Sequence, residues 1–217
     1  MKEKNIDKIM QILEKYYKYK ERTTLNRMRS TPDEFKILIS CLLSLRTRDE
    51  NTEKVVKKLF AVVKKPEDIA EMPSRKLEKL IYSSGYYKNK AKTIKHVSKI
   101  LLDKYKGKVP SSKEKLLEIK GIGPKTANIV LSFAFNQLVI PVDVNVYRIA
   151  NRLSLVREKT AEKTEKALEK ILPKKYWREI NAVFILFGKT ICLPVSPKCS
   201  ICPINKYCPR IGVIKFR

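Results

Sequence analysis

The sequence predicts an all-α fold. Apolar residues recur at helical spacing along most of the 217 residues, and no stretch alternates apolar with polar as a half-buried strand would. Pro66, Pro73, Pro110 and Pro173 fall between the apolar stripes rather than within them, where proline would break a helix. There is no internal repeat and no low-complexity tail. A chain of this length can bury a substantial core, as one large or two small domains.

The elements follow in order. Ile6, Ile9, Met10, Leu13 and Tyr17 form one helical stripe, and a polar, basic connector spans residues 20–30. Thr31-Pro32-Asp33-Glu34 reads as a capping box with proline in the first turn, opening an almost wholly apolar helix to Leu45. Val55, Val56, Leu59 and Phe60 mark the inner face of the next helix. Ser74 is placed to cap a short helix through Leu80. Ala91, Ile94, Val97 and Leu101 mark a longer helix, and Ser111 with Glu114 suggests another capping box. Later helices are expected over 144–153, 160–172 and 175–190.

Residues 121–143, GIGPKTANIVLSFAFNQLVIPVD, carry the first chemical signal. Gly121 and Gly123 flank Ile122 and permit a tight turn with accessible N–H groups. Pro124 suits a first helical position, and Thr126-Ala127 continues into an apolar helix. Backbone donors at such a turn can hold a phosphate oxygen. Lys125 falls in the first turn, where the positive end of the helix dipole works against an ammonium and favours a nucleophilic amine. The segment imitates the end of a P-loop, but proline stands where glycine should precede the lysine, so nucleotide hydrolysis is not expected. Asp143 precedes VNVYRIANRL and reads as a helix N-cap. A cap also fixes a carboxylate in space, so capping and catalysis are compatible.

The second signal is C-x6-C-x2-C-x5-C, formed by Cys192, Cys199, Cys202 and Cys208. Prolines 194, 197, 203 and 209 interleave with them, leaving little chance of a self-supporting core. Four thiolates in one loop point to a metal centre. Zinc usually uses two C-x2-4-C knuckles, whereas this loop has one, so the spacing favours an iron–sulfur cluster over zinc, with disulfides or chance as the remaining readings. Cys41, within FKILISCLLSL, reads as a buried small hydrophobe.

LEIKGIGPKTANIVL, VDVNVYRIANR and the cysteine loop together resemble the endonuclease III family of DNA repair glycosylases, within the helix-hairpin-helix glycosylase superfamily. The resemblance covers nearly the whole chain. It implies a catalytic lysine at Lys125, a catalytic aspartate at Asp143 and a 4Fe–4S cluster on the four clustered cysteines. It also implies two helical domains. One is a helical barrel over 26–138 with the helix-hairpin-helix near 112–136; the other joins 1–25 to 139–217 and carries the cluster loop at 192–208. DNA would lie across the cleft between them. CLLSLRTRD and SSGYYKNKA resemble the family's two DNA-probing segments.

Charge agrees with a nucleic-acid partner. With 48 Lys and Arg against 22 Asp and Glu, the formal net charge is +26. A thermophile's lysine enrichment would bring glutamate with it and does not explain that imbalance. The N-terminus lacks an apolar signal region, and no run approaches a membrane span. A thiol cluster then suits an intracellular, reducing setting. The expected location is the cytoplasm, in association with the nucleoid, and a prokaryotic source is expected.

The chemistry implied by the resemblance starts from a base flipped out of duplex DNA. Lys125 would attack the anomeric carbon and displace the base, and the Schiff base would permit β-elimination. Asp143 would assist lysine deprotonation and stabilise the cationic sugar. Ser44 and Asp49 are weaker candidates for the cleft lining. Lys120 and Lys189 are candidates for phosphate contact, as are Lys198, Lys206 and Arg210. Three positions depart from the family pattern: Arg46 replaces a gap-filling glutamine, Tyr86 a wedging leucine, and Asn145 a histidine after the aspartate. They place lesion and opposite-base choice in question. The expected activity is a bifunctional glycosylase and abasic-site lyase acting as a monomer on double-stranded DNA with oxidised pyrimidines or abasic sites. The alternatives are a mismatch thymine or adenine glycosylase and a noncatalytic helix-hairpin-helix DNA-binding module; the second has no need of both Lys125 and Asp143.

Overall fold

The computed structural model describes residues 3–17, 24–28 and 32–217. Their regular elements are helices, and no strand occurs among the described residues. Contacts divide the chain into two compact units, Met1–Arg22 with Leu138–Arg217, and Thr23–Gln137.

The unit containing the N-terminus is built from α1 (Glu3–Tyr17), α10 (Val144–Arg152), α11 (Ala161–Ile171) and α12 (Ile180–Thr190). All five residues of the α1 stripe are buried, and α1 packs on α12. Their side chains join Val146, Ile149, Phe184 and Phe187 in one apolar core. Burial of such side chains is the main favourable term in folding. The Tyr17 hydroxyl pairs with Thr190 Oγ1 at 2.6 Å, so this large side chain enters the core with its polar end satisfied.

The other unit contains α2 (Thr24–Arg27), α3 (Glu34–Ser44), α4 (Asp49–Phe60), α5 (Pro66–Glu71), α6 (Ser74–Leu80), α7 (Tyr87–Tyr105), α8 (Lys113–Glu118) and α9 (Pro124–Phe133). The apolar α3 is central and packs on α4, α7 and α9. Ala91, Ile94, Val97 and Leu101 of α7 are buried as their spacing predicts.

The starts of several helices differ from expectation. Asp33 caps α3, accepting from Lys36 N at 2.7 Å; Thr31 lies outside the described residues. Ser74 is the first residue of α6 and Pro73 its cap, because proline's restricted φ already turns the chain into the helix. Ser112, not Ser111, caps α8 and bonds Glu114 at 2.6 Å. The Ser111 carbonyl instead accepts from Gln137 Nε2 at 2.7 Å. Pro66 does more than separate elements: it opens α5, and the Asp68 carboxylate accepts from Lys64 N and Lys65 N. The helix expected over 175–190 is a 3-10 turn at Lys174–Tyr176 followed by α12, since Pro173 starts the turn and regular helix resumes only after Glu179. The connector expected over 20–30 includes the short α2.

Candidate active site and iron–sulfur loop

Helices α8 and α9 are joined by a hairpin closed by Ile122 N donating to Ile119 O at 3.0 Å. Both isoleucines are buried and anchor the turn. Gly121 has φ +105°, and a Cβ there would stand 2.7 Å from Thr93 Cγ2 of α7, so glycine is required twice over. An added Cβ at Gly123, by contrast, meets nothing within 4 Å, and Gly123 and Lys120 are exposed. The first N–H groups of α9 have no partner within their own helix. The turn therefore presents bare backbone donors beside a cation, the arrangement that holds a phosphate oxygen.

Lys125 is exposed, with Pro124 before it, on a helix whose next eight residues are all buried. Packing of Thr126–Phe133 fixes α9, and the amine projects from a rigid base. The Cys41 thiol on α3 is fully buried; burial pushes it up to about 12, with the nearby Lys125 charge working the other way. Cys41 is thus an inert core residue, as its apolar setting suggests.

Asp143 caps α10. Its Oδ1 accepts from Asn145 N and Val146 N, both at 2.9 Å, and its Oδ2 accepts from Asn145 Nδ2 at 2.9 Å. The residue is only 7% exposed, so its carboxylate is held in one orientation. Asn145 Oδ1 accepts from Arg148, which also donates to Gly188 O at 3.2 Å and Cys192 O at 3.0 Å. A Cβ at Gly188 would lie 2.5 Å from Asn145 Oδ1, so glycine on α12 makes room for this network. Asn145 therefore orients the aspartate with one end of its amide and receives Arg148 at the other. Lys189, next to Gly188, is exposed.

The four clustered cysteines follow α12 and line one cavity with Ile149, Leu153, Phe187, Ile191 and Ile204. All four are free thiols in this structure. Among the described residues no three His, Cys, Asp or Glu are gathered tightly enough to hold a single metal ion. Four thiols around one shared cavity can hold a metal centre. Burial raises the thiols of Cys199, Cys202 and Cys208, that of Cys202 to about 11, so binding metal must displace their protons. Buried Arg152 of α10 pins the loop, donating to Leu193 O at 2.6 Å, Pro194 O at 2.7 Å and Cys192 Sγ at 3.4 Å. Arg210 is tied to Asn205 Oδ1 at 2.7 Å, Lys198 is half-buried, and Lys206 is exposed.

Arg46 and Tyr86 come together. Both adopt left-handed backbone, with φ of 52° and 58°, and the Arg46 guanidinium lies 5.6 Å from the Tyr86 ring centre. Gly85 enables the approach: a Cβ there would stand 2.7 Å from Arg46 O. Tyr86 is 63% exposed, which excludes a core role. Ser44 turns its hydroxyl back to Cys41 O, and Asp49 accepts from Thr24 N, so both serve local structure. Arg148 and Arg152 had not been singled out from sequence. The available signal was their spacing with Asn145 along one face of α10.

Comparison with known proteins matches residues 39–174 to the family model described as HhH-GPD superfamily base excision DNA repair protein. Residues 192–208 match the iron–sulfur binding domain of endonuclease III. Endonuclease III of Thermotoga maritima is 48% identical over 81% of this chain and 83% of its own length. The chain belongs to the endonuclease III family. Endonuclease III of Bacillus subtilis is 37% identical over 80% of each chain. A trapped endonuclease III–DNA covalent intermediate superposes with a TM-score of 0.86 at 33% identity, covering 97% of both chains. A thermostable thymine-DNA glycosylase follows at 0.83 and 27% identity, covering 95% of this chain and 96% of its own. As a member of the endonuclease III family, the protein is a DNA glycosylase of base excision repair with a 4Fe–4S cofactor, and its partner is DNA. No helix among the described residues is long and apolar enough to cross a membrane.

Proposed function

We propose that this glycosylase is bifunctional, removing oxidised pyrimidines from duplex DNA through a covalent lysine intermediate and then cutting the strand. The observation that carries the reading is Lys125: an exposed amine on a rigid helix, directly behind a glycine hairpin whose backbone is open to a phosphate. Lys125 Nζ attacks the anomeric carbon of the flipped nucleotide. The bond to the base breaks, and the base leaves with the electron pair and takes up a proton. The C1′–O4′ bond then breaks, the ring oxygen takes up a proton released by the amine, and the opened sugar is held as a protonated Schiff base that keeps one proton on Nζ. That cation acidifies the adjacent sugar proton, whose removal expels the 3′ phosphate, and water then releases Lys125. Asp143, as a carboxylate fixed by three hydrogen bonds, assists lysine deprotonation and stabilises positive charge on the sugar.

The flipped base leaves a gap. Tyr86 wedges or stacks there, and Arg46 donates to the orphan base, for which guanine is the best acceptor. Lys120, Lys189 and the backbone around Gly121 and Gly123 take phosphates. The 4Fe–4S centre, held by Cys192, Cys199, Cys202 and Cys208, supplies a structural anchor for the loop carrying Lys198, Lys206 and Arg210. The protein acts as an intracellular monomer in this reading.

Borohydride trapping on duplexes containing thymine glycol, an abasic site or a mismatch tests it. Lys125→Gln should abolish the trapped adduct while keeping affinity for a reduced abasic site. An undiminished adduct would assign the nucleophile elsewhere, and base release confined to mismatches would support a mismatch glycosylase instead.

A further inference from the structure

Lys90 stands out among the basic residues. Most lysines of a +26 chain are solvated, yet Lys90 is 8% exposed. Its Nζ donates to Leu43 O at 2.6 Å, Thr47 Oγ1 at 2.6 Å and Ser84 Oγ at 2.8 Å. An ammonium has three protons to donate, and these three neutral oxygens match that number.

The three acceptors belong to two separate turns. Leu43 is in the last turn of α3, where carbonyls lack helical partners and a cation is favoured by the dipole. Thr47 directly follows Arg46. Ser84 lies two residues before Tyr86 and is itself buried, donating to Leu43 O at 3.2 Å. Thr47 Oγ1 also accepts from Gly85 N at 3.2 Å. The buried cation thus ties the strained turn bearing Arg46 to the strained turn bearing Tyr86. Burying a charge costs free energy, and an apolar side chain of similar length would fill the same space without that cost. Core stability therefore gives no reason for a lysine here, whereas holding two left-handed turns in register does.

We propose that Lys90 is a positioning residue whose hydrogen bonds to Leu43, Thr47 and Ser84 lock Arg46 and Tyr86 into the pair that reads the gap opened in duplex DNA. This rests on the reading of Arg46 and Tyr86 as gap-probing residues. Lys90 acts through them and touches no DNA.

The experiment compares kcat/KM on a duplex containing thymine glycol with borohydride trapping on single-stranded abasic DNA, which has no gap to fill. Lys90→Met should lower duplex activity about tenfold or more, because displaced groups lose much of their effect, while single-stranded trapping stays within about twofold. In an Arg46→Ala/Tyr86→Ala background, Lys90→Met should cause no further selective loss, since its targets are gone. Thr47→Val removes one acceptor and should give a smaller loss of the same selective kind; it decides the matter by the same criterion if Lys90→Met does not fold or retain iron. Equal losses on both substrates, or full additivity with Arg46→Ala/Tyr86→Ala, would overturn the proposal. Full duplex activity in Lys90→Met alongside impairment in Arg46→Ala/Tyr86→Ala would also overturn it, while leaving the reading of the turns intact. Full duplex activity in Arg46→Ala/Tyr86→Ala would sink that reading itself, and the Lys90 proposal with it.

Discussion

Replacing Asp143 separates two roles that coincide in one side chain. Its carboxylate caps α10 through two backbone N–H groups and orients Asn145 through a third bond. Asp143→Ala removes the cap, at about 1–2 kcal/mol, and strands Asn145 Nδ2, at about 1 kcal/mol more. For a chain of this size each kcal/mol lowers the melting temperature by about 2–4 °C, so a fall of about 4–12 °C is expected. Asp143→Ser restores a good cap without a carboxylate and should recover most of that loss. If the carboxylate also stabilises the reacting sugar and assists lysine deprotonation, both variants should lose about 10²–10⁴-fold in single-turnover base release. The assay pairs that rate, on duplex DNA containing thymine glycol, with a thermal melt. Activity recovering along with stability in Asp143→Ser would refute the catalytic assignment and leave only the cap.

Three further outcomes follow from the structure. Aerobically purified protein should be yellow-brown with about four irons per chain, as a 4Fe–4S centre requires; Cys202→Ser should lose iron and folded protein, whereas Cys41→Ser should keep its iron, as elemental analysis will show. DNA affinity should fall with salt at a log–log slope of roughly −0.9 per phosphate neutralised, and a slope near zero would contradict phosphate contacts at the hairpin. Burial lowers the Lys90 pKa from 10.5 to about 8, so the folded state binds fewer protons than the unfolded state between those values. Stability from this group therefore rises with pH across that window, and melting curves should show wild type gaining on Lys90→Met as pH increases through it.

The helical fold and the two chemical segments were legible because both are local. Stripe spacing specifies α1 and α7, a continuous apolar run behind a cap signal specifies α3, and glycine and proline at 121–124 specify a turn wherever the rest of the chain lies. Cap positions slipped by a residue or two at α3, α6 and α8 because neighbouring Ser, Asp and Pro residues compete for the same role, and tertiary partners decide between them. At Ser111 the deciding partner is Gln137, 26 residues away. The short α2 and α5 offered too few residues for a periodic pattern.

The misses at the site share one physical form. Arg148, Arg152 and Lys90 are cations that leave the surface to satisfy backbone carbonyls exposed where helices end or loops turn. The backbone carbonyls they serve are 40 to 47 residues away in sequence, so local spacing does not name those partners. Yet Lys90 sits four residues before Ile94, in line with Val97 and Leu101, at a position where an amphipathic helix expects an apolar side chain. In a chain with 48 basic residues the count of lysines says only that the partner is anionic. A lysine that falls on the apolar stripe is more informative, because burial demands oxygen acceptors, and unpaired carbonyls collect at the turns that a binding site uses. Charge out of register with the helix pattern thus marks where the scaffold is tied to the turns proposed to probe DNA.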